Sequence, residues 1–235
     1  MTSKIKIALD CMGGDDAPTM VVRGADLAVE RQPDIFFHLV GNEEEIIPLI
    51  KASRHLDSDN HKITHTQKKV AADDKPSVAL RGGRDTSMRL AIDLVSDGSA
   101  DGVVSAGNTG ALFVIAKLNL EMIKNIDKPA LSALWPNKNG MNIVLDLGAN
   151  IECNEKNFED FSLMGSALHK ALFPEEASKV ALLNIGSEEI KGNNTIKNAY
   201  KLLSDKKNTL YDFNGYVEGN EIMSGNVNVI VTDGF

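Results

Sequence analysis

Along the whole chain, apolar runs of strand length alternate with segments whose apolar residues recur at helical spacing. This alternation constrains the fold more than any other feature. KIKIALD (4–10), IFFHLVG (35–41), KITHTQ (62–67), GVV (102–104), ALSALWP (130–136) and MNIVLDLG (141–148) read as strands. KVALLNIG (179–186), TLYDFNGYV (209–217) and NVNVIVTDG (226–234) continue the series. Helical patterns fill the intervals: PTMVVRGADLAVERQP (18–33), NEEEIIPLIKAS (42–53), Pro76 to Asp97 with a break near RGGRD, the stretch after Asn108, and stretches near 157–173 and 193–205. Pro18 suits a first helical turn, and Asn42 suits a cap ahead of Glu43–Glu45, which favour the positive helix end. Strand–helix alternation implies βαβ crossovers, hence an α/β fold with a mostly parallel, doubly wound sheet covered on both faces. No repeat, low-complexity linker or domain boundary interrupts the pattern, so one domain over residues 1–235 is expected. Its final strand arrives at a turn where a further element is expected, which suggests a C-terminally incomplete domain.

Composition narrows the class. Hydrophobic residues make up 43% and charged residues 25% of the 235, as in ordinary globular proteins. A net charge of −8 argues against a nucleic-acid partner, since that binding neutralises phosphates with clustered Lys and Arg. Cys11 and Cys153 stand alone, with no CxxC spacing for zinc or a disulfide framework. The N-terminus lacks the apolar core of a signal peptide, and no apolar run approaches a membrane span. A cytoplasmic location is expected.

Five strand ends carry similar polar, glycine-rich turns: LDCMGGDDAP (9–18), VVSAGNTGA (103–111), VLDLGANIEC (144–153), LLNIGSEEIKG (182–192) and VTDG (231–234). In an open parallel sheet such turns converge on the edge where ligands bind. Glycines let an anion approach the backbone, and a helix start offers N–H donors. Asn108 and Thr109 either add donors or cap the following helix. Lys75, Arg81, Arg84, Arg89 and Lys191 are candidate cations, while Asp10, Asp15, Asp146 and Asp233 either position donors or cap turns. The G-x-G-x-x-G and P-loop spacings are absent, as is a G-x-S-x-G elbow, and no His shares a strand-end turn with Ser105. The pattern therefore reads as a cleft for a small anion, without naming a reaction.

Taken together, ALDCMGGDDAP, KPSVALR (75–81), VSAGNTGA, LDLGAN, LLNIGSEEIKG, FNGYVEGNEI (213–222) and VTDGF resemble the phosphate:acyl-[acyl-carrier-protein] acyltransferase family, PlsX, of bacterial phospholipid synthesis. The resemblance runs from Ile7 to the last residue. Cys11, where the family commonly has a small residue such as Ala, and the VEGNE segment are departures. The resemblance implies a three-layer α/β/α sandwich related to phosphotransacetylases and isopropylmalate-type dehydrogenases. It implies transfer of an acyl group from acyl carrier protein (ACP) to inorganic phosphate, giving acyl phosphate and free ACP, with no cofactor and no metal. It further implies a homodimer, peripheral association with the inner face of the membrane, and a downstream membrane glycerol-3-phosphate acyltransferase that takes the product. On this resemblance the turns 13–15, 107–110 and 186–188 cradle phosphate. They carry Gly13, Gly14, Asp15, Gly107, Thr109, Gly110, Gly186 and Glu188, with Ser105, Arg81 and Lys75 or Lys191 nearby. Asn108, Asn150 or Asn184 would donate to the thioester oxygen, and Asp10, Asp146 and Asp233 would orient those donors or take a proton. An acyl-CoA-using phosphotransacylase and a non-catalytic acyl-ACP-binding scaffold are the alternatives.

Overall fold

The computed structural model describes residues 4–188, 190–206 and 209–234. Where the sequence pattern suggested a single domain on one sheet, the chain folds as two compact units, Met1–Glu121 and Met122–Phe235, each with its own sheet. Residues 120–131 carry neither helix nor strand.

The first unit runs β1 (Ile5–Asp10), α1 (Thr19–Arg31), β2 (Ile35–Gly41), α2 (Glu43–Ala52), β3 (His61–His65), α3 (Pro76–Arg81), α4 (Ser87–Ser96), β4 (Gly102–Val104) and α5 (Thr109–Asn119). Its strands are parallel in the order β3-β2-β1-β4. Alternation along β1 sends Leu9 to one face, against Val22, Ala25 and Val29 of α1 and Ile46 of α2. Ala8 goes to the other, where it packs with Ala91 of α4 and Val40. The break expected near RGGRD separates α3 from α4, and Asn42 caps α2 by accepting the Glu44 N–H at 3.2 Å.

The second unit runs β5 (Ser132–Asn137), β6 (Gly140–Leu145), α6 (Glu155–Leu172), β7 (Lys179–Leu183), α7 (Asn194–Asp205), β8 (Asp212–Val217), a 3-10 turn (Ile222–Ser224) and β9 (Val229–Val231). The order is β5-β6-β9-β7-β8, with β5 antiparallel to β6 and the other neighbours parallel. Phe158 and Phe161 of α6 and Leu203 of α7 fill one face, against Ile143, Leu182 and Val229. On the other face Val144, Ala181 and Ile230 pack against Ile222, Val227 and Trp135. Helices thus cover both faces of the first sheet. In the second, the described residues cover one face with helices and the other with the 3-10 turn and its flanks.

Both sheets reverse strand order at the edge where the polar turns lie. In the first, the chain winds from β1 out to β3 and returns on the far side of β1 as β4. In the second, β9 inserts between β6 and β7. Such reversal points leave crevices at the strand carboxyl ends, because the two connections lead away to opposite sides.

Candidate functional site

In the first unit the turns after β1 and β4 meet. Asp10 ends β1 and is 1% exposed. Its Oδ2 accepts the Ser105 hydroxyl at 2.7 Å, its Oδ1 accepts the Met12 N–H at 3.3 Å, and Ser105 Oγ accepts the Gly107 N–H at 3.1 Å. Gly13 lies against this chain of contacts: a Cβ there would stand 2.5 Å from Asp10 Oδ2 and 3.0 Å from the Gly107 nitrogen. Ser105 is therefore held by a carboxylate and a backbone donor. The Cys11 thiol, buried beside Asp10, is pushed up to about 12, first by burial and then by the neighbouring carboxylate. It packs as a small apolar group rather than acting as a thiolate.

Asn108 is the N-cap of α5. Its Oδ1 accepts the Ala111 N–H at 2.9 Å, and its Nδ2 donates to the carbonyls of Ala72 at 3.0 Å and Asp74 at 2.9 Å, with Ala71 at 3.4 Å. Both amide hydrogens are thus committed to the 71–74 loop, which corrects the expectation of a free side-chain donor to the thioester oxygen. The donors left at this helix start are backbone groups, because the first-turn N–H groups of Thr109 and Gly110 have no acceptor within the helix. Gly110 is pressed on the start of α3, where a Cβ would come within 2.9 Å of Pro76 Cγ.

These turns enclose a cleft of about 720 Å³ lined by Gly14, Asp15, Gly107, Asn108, Thr109 and Gly110 together with Lys69 and Val70. Lys69 went unnoticed in the sequence. Its neighbour Lys68 pairs with Asp85 at 2.8 Å, and Thr66 Oγ1 donates to the Asp85 carbonyl at 2.6 Å, so the loop is tied at one end there and at the other by Asn108. Lys69 makes no ion pair among the described residues. The signal that finds it is topological: β3 is parallel to β1, so the residues after β3 reach the same sheet edge. The cations expected from the sequence do not line the cleft, although Lys75 lies between Asp74, whose carbonyl accepts from Asn108, and Pro76, which faces Gly110. Lys75 precedes α3 and Arg81 lies in its last turn, both exposed; Arg84 is exposed, and Arg89 is paired with Asp93 at 3.0 Å. Asp15 adds negative charge at the cleft wall, which leaves Lys69 and the backbone N–H groups of the α5 start as the groups there that suit an anion.

In the second unit, Asp146 is fully buried after β6. It accepts the N–H groups of Leu131 at 2.7 Å, Ala149 at 3.3 Å and Asn150 at 2.8 Å, and the Asn150 Nδ2 at 2.9 Å. Asn150 Nδ2 also donates to the Pro129 carbonyl at 2.8 Å. Asn184 Nδ2 donates to the Gly186 carbonyl at 3.1 Å and the Lys191 carbonyl at 3.2 Å, closing the 184–191 loop on itself. These three side chains organise turns, and the expected donor role of Asn150 and Asn184 is corrected in the same way as that of Asn108. Beside Gly186, a Cβ would stand 2.8 Å from Glu188 Oε2 and 2.9 Å from Lys191 Cγ, so the acid and the base of this loop share one small space. The turns after β6 and β9 interlock: a Cβ on Gly234 (φ +83°) would fall 2.1 Å from the Gly148 nitrogen. Asp233 is half-buried on that turn. The structure thus joins 13–15 with 107–110 in one unit, and sets 186–188 in a loop of the other.

The chain is similar to known proteins over its whole length. The sequence model of a family described as "fatty acid synthesis protein" matches residues 5–235. The chain belongs to that family. Relatives of this family member include the phosphate acyltransferase of Pelagibacter ubique, 53% identical over the whole chain and covered to 70% of its own length. That of Rhodospirillum centenum is 48% identical and covered to 66%. The chain thus spans about two thirds of the length of these relatives. Among solved structures, the EutD phosphotransacetylase from Staphylococcus aureus matches with a TM-score of 0.66 at 15% identity, covering 98% of this chain and 78% of that one. A branched-chain phosphotransacylase from Enterococcus faecalis matches with a TM-score of 0.62 at 15% identity, covering 97% and 79%. At that identity the two structures establish the shared α/β fold with its parallel sheets. No helix among the described residues is long and apolar enough to cross a membrane.

Proposed function

We propose that this family member transfers a long-chain acyl group from ACP to inorganic phosphate, yielding acyl phosphate and free ACP for phospholipid synthesis. The observation that carries the reading is the cleft at the β1/β4 reversal, which sets Lys69 and the α5 N-terminus around glycine turns. A phosphate held there is itself a nucleophile, so neither an enzyme nucleophile nor a cofactor enters the scheme. One oxygen of hydrogen phosphate attacks the thioester carbonyl, a carbon–oxygen bond forms, the carbon–sulfur bond breaks, and the departing thiolate takes the proton that the phosphate gives up. The protein contributes by holding phosphate in place, which replaces a bimolecular encounter, and by offering backbone N–H groups to developing negative charge. Asp10 acts through Ser105, fixing its hydroxyl so that it accepts from Gly107 and holds the turn open.

Membership of a family described by fatty acid synthesis, with relatives named phosphate acyltransferase, supports both halves of the scheme. Thiol release measured with palmitoyl-ACP and with palmitoyl-CoA, each with and without phosphate, tests it. Phosphate-dependent release from palmitoyl-ACP that exceeds release from the CoA ester is expected. Preference for the CoA ester, or tight binding of palmitoyl-ACP with no release, would replace the reading by one of its alternatives.

A further inference from the structure

A second cavity adjoins the anion cleft. On the face of the first sheet that α1 covers, the side toward β4 is open, leaving a groove of about 380 Å³. Ile7 and Leu9 of β1, Val104 of β4, and Met20, Val21 and Ala28 of α1 are among its walls. Register explains the lining: Leu9 pairs with Val104, so both side chains leave the sheet on the α1 face. Val104 is 56% exposed there. The charged residue on the wall is Asp10, and its carboxylate is turned to Ser105 and Met12.

The groove and the anion cleft share Ala106 as a wall residue. The partition between them is thin, since a Cβ on Gly14 would stand 3.2 Å from Ala106 Cβ and 3.3 Å from Met20 Cε. The groove is also kept open from the helix side. Gly24 of α1 lines it, and a Cβ there would meet no heavy atom within 4 Å. A larger residue would favour the helix, yet a glycine leaves the space empty.

We infer that this groove holds the hydrocarbon chain of the acyl substrate, with the thioester end at Ala106. The inference rests on the acyl-transfer reading above and names where the acyl chain lies. A carbonyl within reach of phosphate in the cleft has an apolar path leading away from it along β1, where each buried methylene gains about 0.8 kcal/mol. A polar or charged ligand finds no partner on these walls.

The test uses the whole chain and cis-parinaric acid, a fluorescent long-chain fatty acid, with Gly24→Leu and Val104→Glu as variants. The parent is expected to enhance parinarate fluorescence. Gly24→Leu, which fills the groove from a position with free space, is expected to weaken that binding by about tenfold, as losing two buried methylenes does. Its thermal midpoint is expected at or above that of the parent, and Val104→Glu is expected to weaken binding through an exposed wall residue. Inorganic phosphate titrations are expected to agree within about twofold between parent and Gly24→Leu, because the cleft is untouched. Failure of the parent to bind parinarate, or equal binding by a folded Gly24→Leu, overturns the groove whatever the thiol-release assay gives. Weakened binding in the variants combined with no phosphate-dependent thiol release leaves the groove standing and overturns the reaction.

Discussion

Single side chains at the cleft act mostly on the backbone around them, and this sets what substitutions do. Asn108→Ala removes the α5 cap and frees the 71–74 loop, with an expected loss of about 1–2 kcal/mol in chemical denaturation. Asn108→Asp separates the two roles. It keeps the acceptor for the Ala111 N–H but turns a carboxylate toward the carbonyls of Ala72 and Asp74. Lower stability from the carboxylate–carbonyl contacts, together with weakened phosphate affinity, is expected, and equal phosphate affinity in a calorimetric titration contradicts the clamp. Lys69→Met is expected to weaken phosphate binding several-fold while leaving the thermal midpoint unchanged, because the ammonium makes no ion pair among the described residues. Ser105→Ala leaves the buried Asp10 carboxylate short of a donor, costing about 1–3 kcal/mol. Thiol release is expected to persist in that variant, and a covalent acyl adduct on Ser105 in the parent, sought by mass spectrometry, would contradict direct attack by phosphate.

At the scale of elements, glycines at the crossing turns decide whether strand ends can meet. Gly13→Ala is expected to destabilise strongly and to abolish phosphate binding, since its Cβ has Asp10 Oδ2 at 2.5 Å; Gly24→Ala, in open space, is expected to be neutral or stabilising. Thermal melts of the two variants side by side check the contrast. On α6, burial holds His169 below the usual histidine range, with its Nδ1 3.0 Å from Ser178 Oγ. The unfolded chain then binds the proton more readily, so the contribution is complete above about 6.5 and is lost as pH falls. A shallower acid-side slope of the thermal midpoint is expected in His169→Gln; an unchanged slope contradicts it. The sequence made most of these elements legible, because strands such as Ile35–Gly41 are near-continuous apolar runs and Asn42 caps a helix opening with three glutamates. It did not show the division into two sheets, since parallel strands in either sheet carry the same pattern. Nor did it show where amide side chains point: an asparagine after a glycine reads equally as cap or as donor, and only the carbonyls of the 71–74 loop decide for Asn108. Lys69 was invisible for a related reason, as its loop has no motif and gains meaning only from the position of β3.

For the whole molecule, one design recurs. Each sheet reverses strand order beside a buried aspartate, Asp10 or Asp146, and in each a pair of glycine turns interlocks there. The first unit adds to this a cleft lined by glycine turns and Lys69 and, beside it, an apolar groove, which on the proposed reading hold phosphate and the acyl chain. On the proposed reading, phosphate itself attacks the thioester. Phosphorus-31 NMR of the chain incubated with palmitoyl-ACP and inorganic phosphate tests it most directly. A new acyl phosphate resonance growing in step with free ACP thiol is expected, and none of either without phosphate. Thiol released equally with and without phosphate, with no acyl phosphate signal, would contradict it.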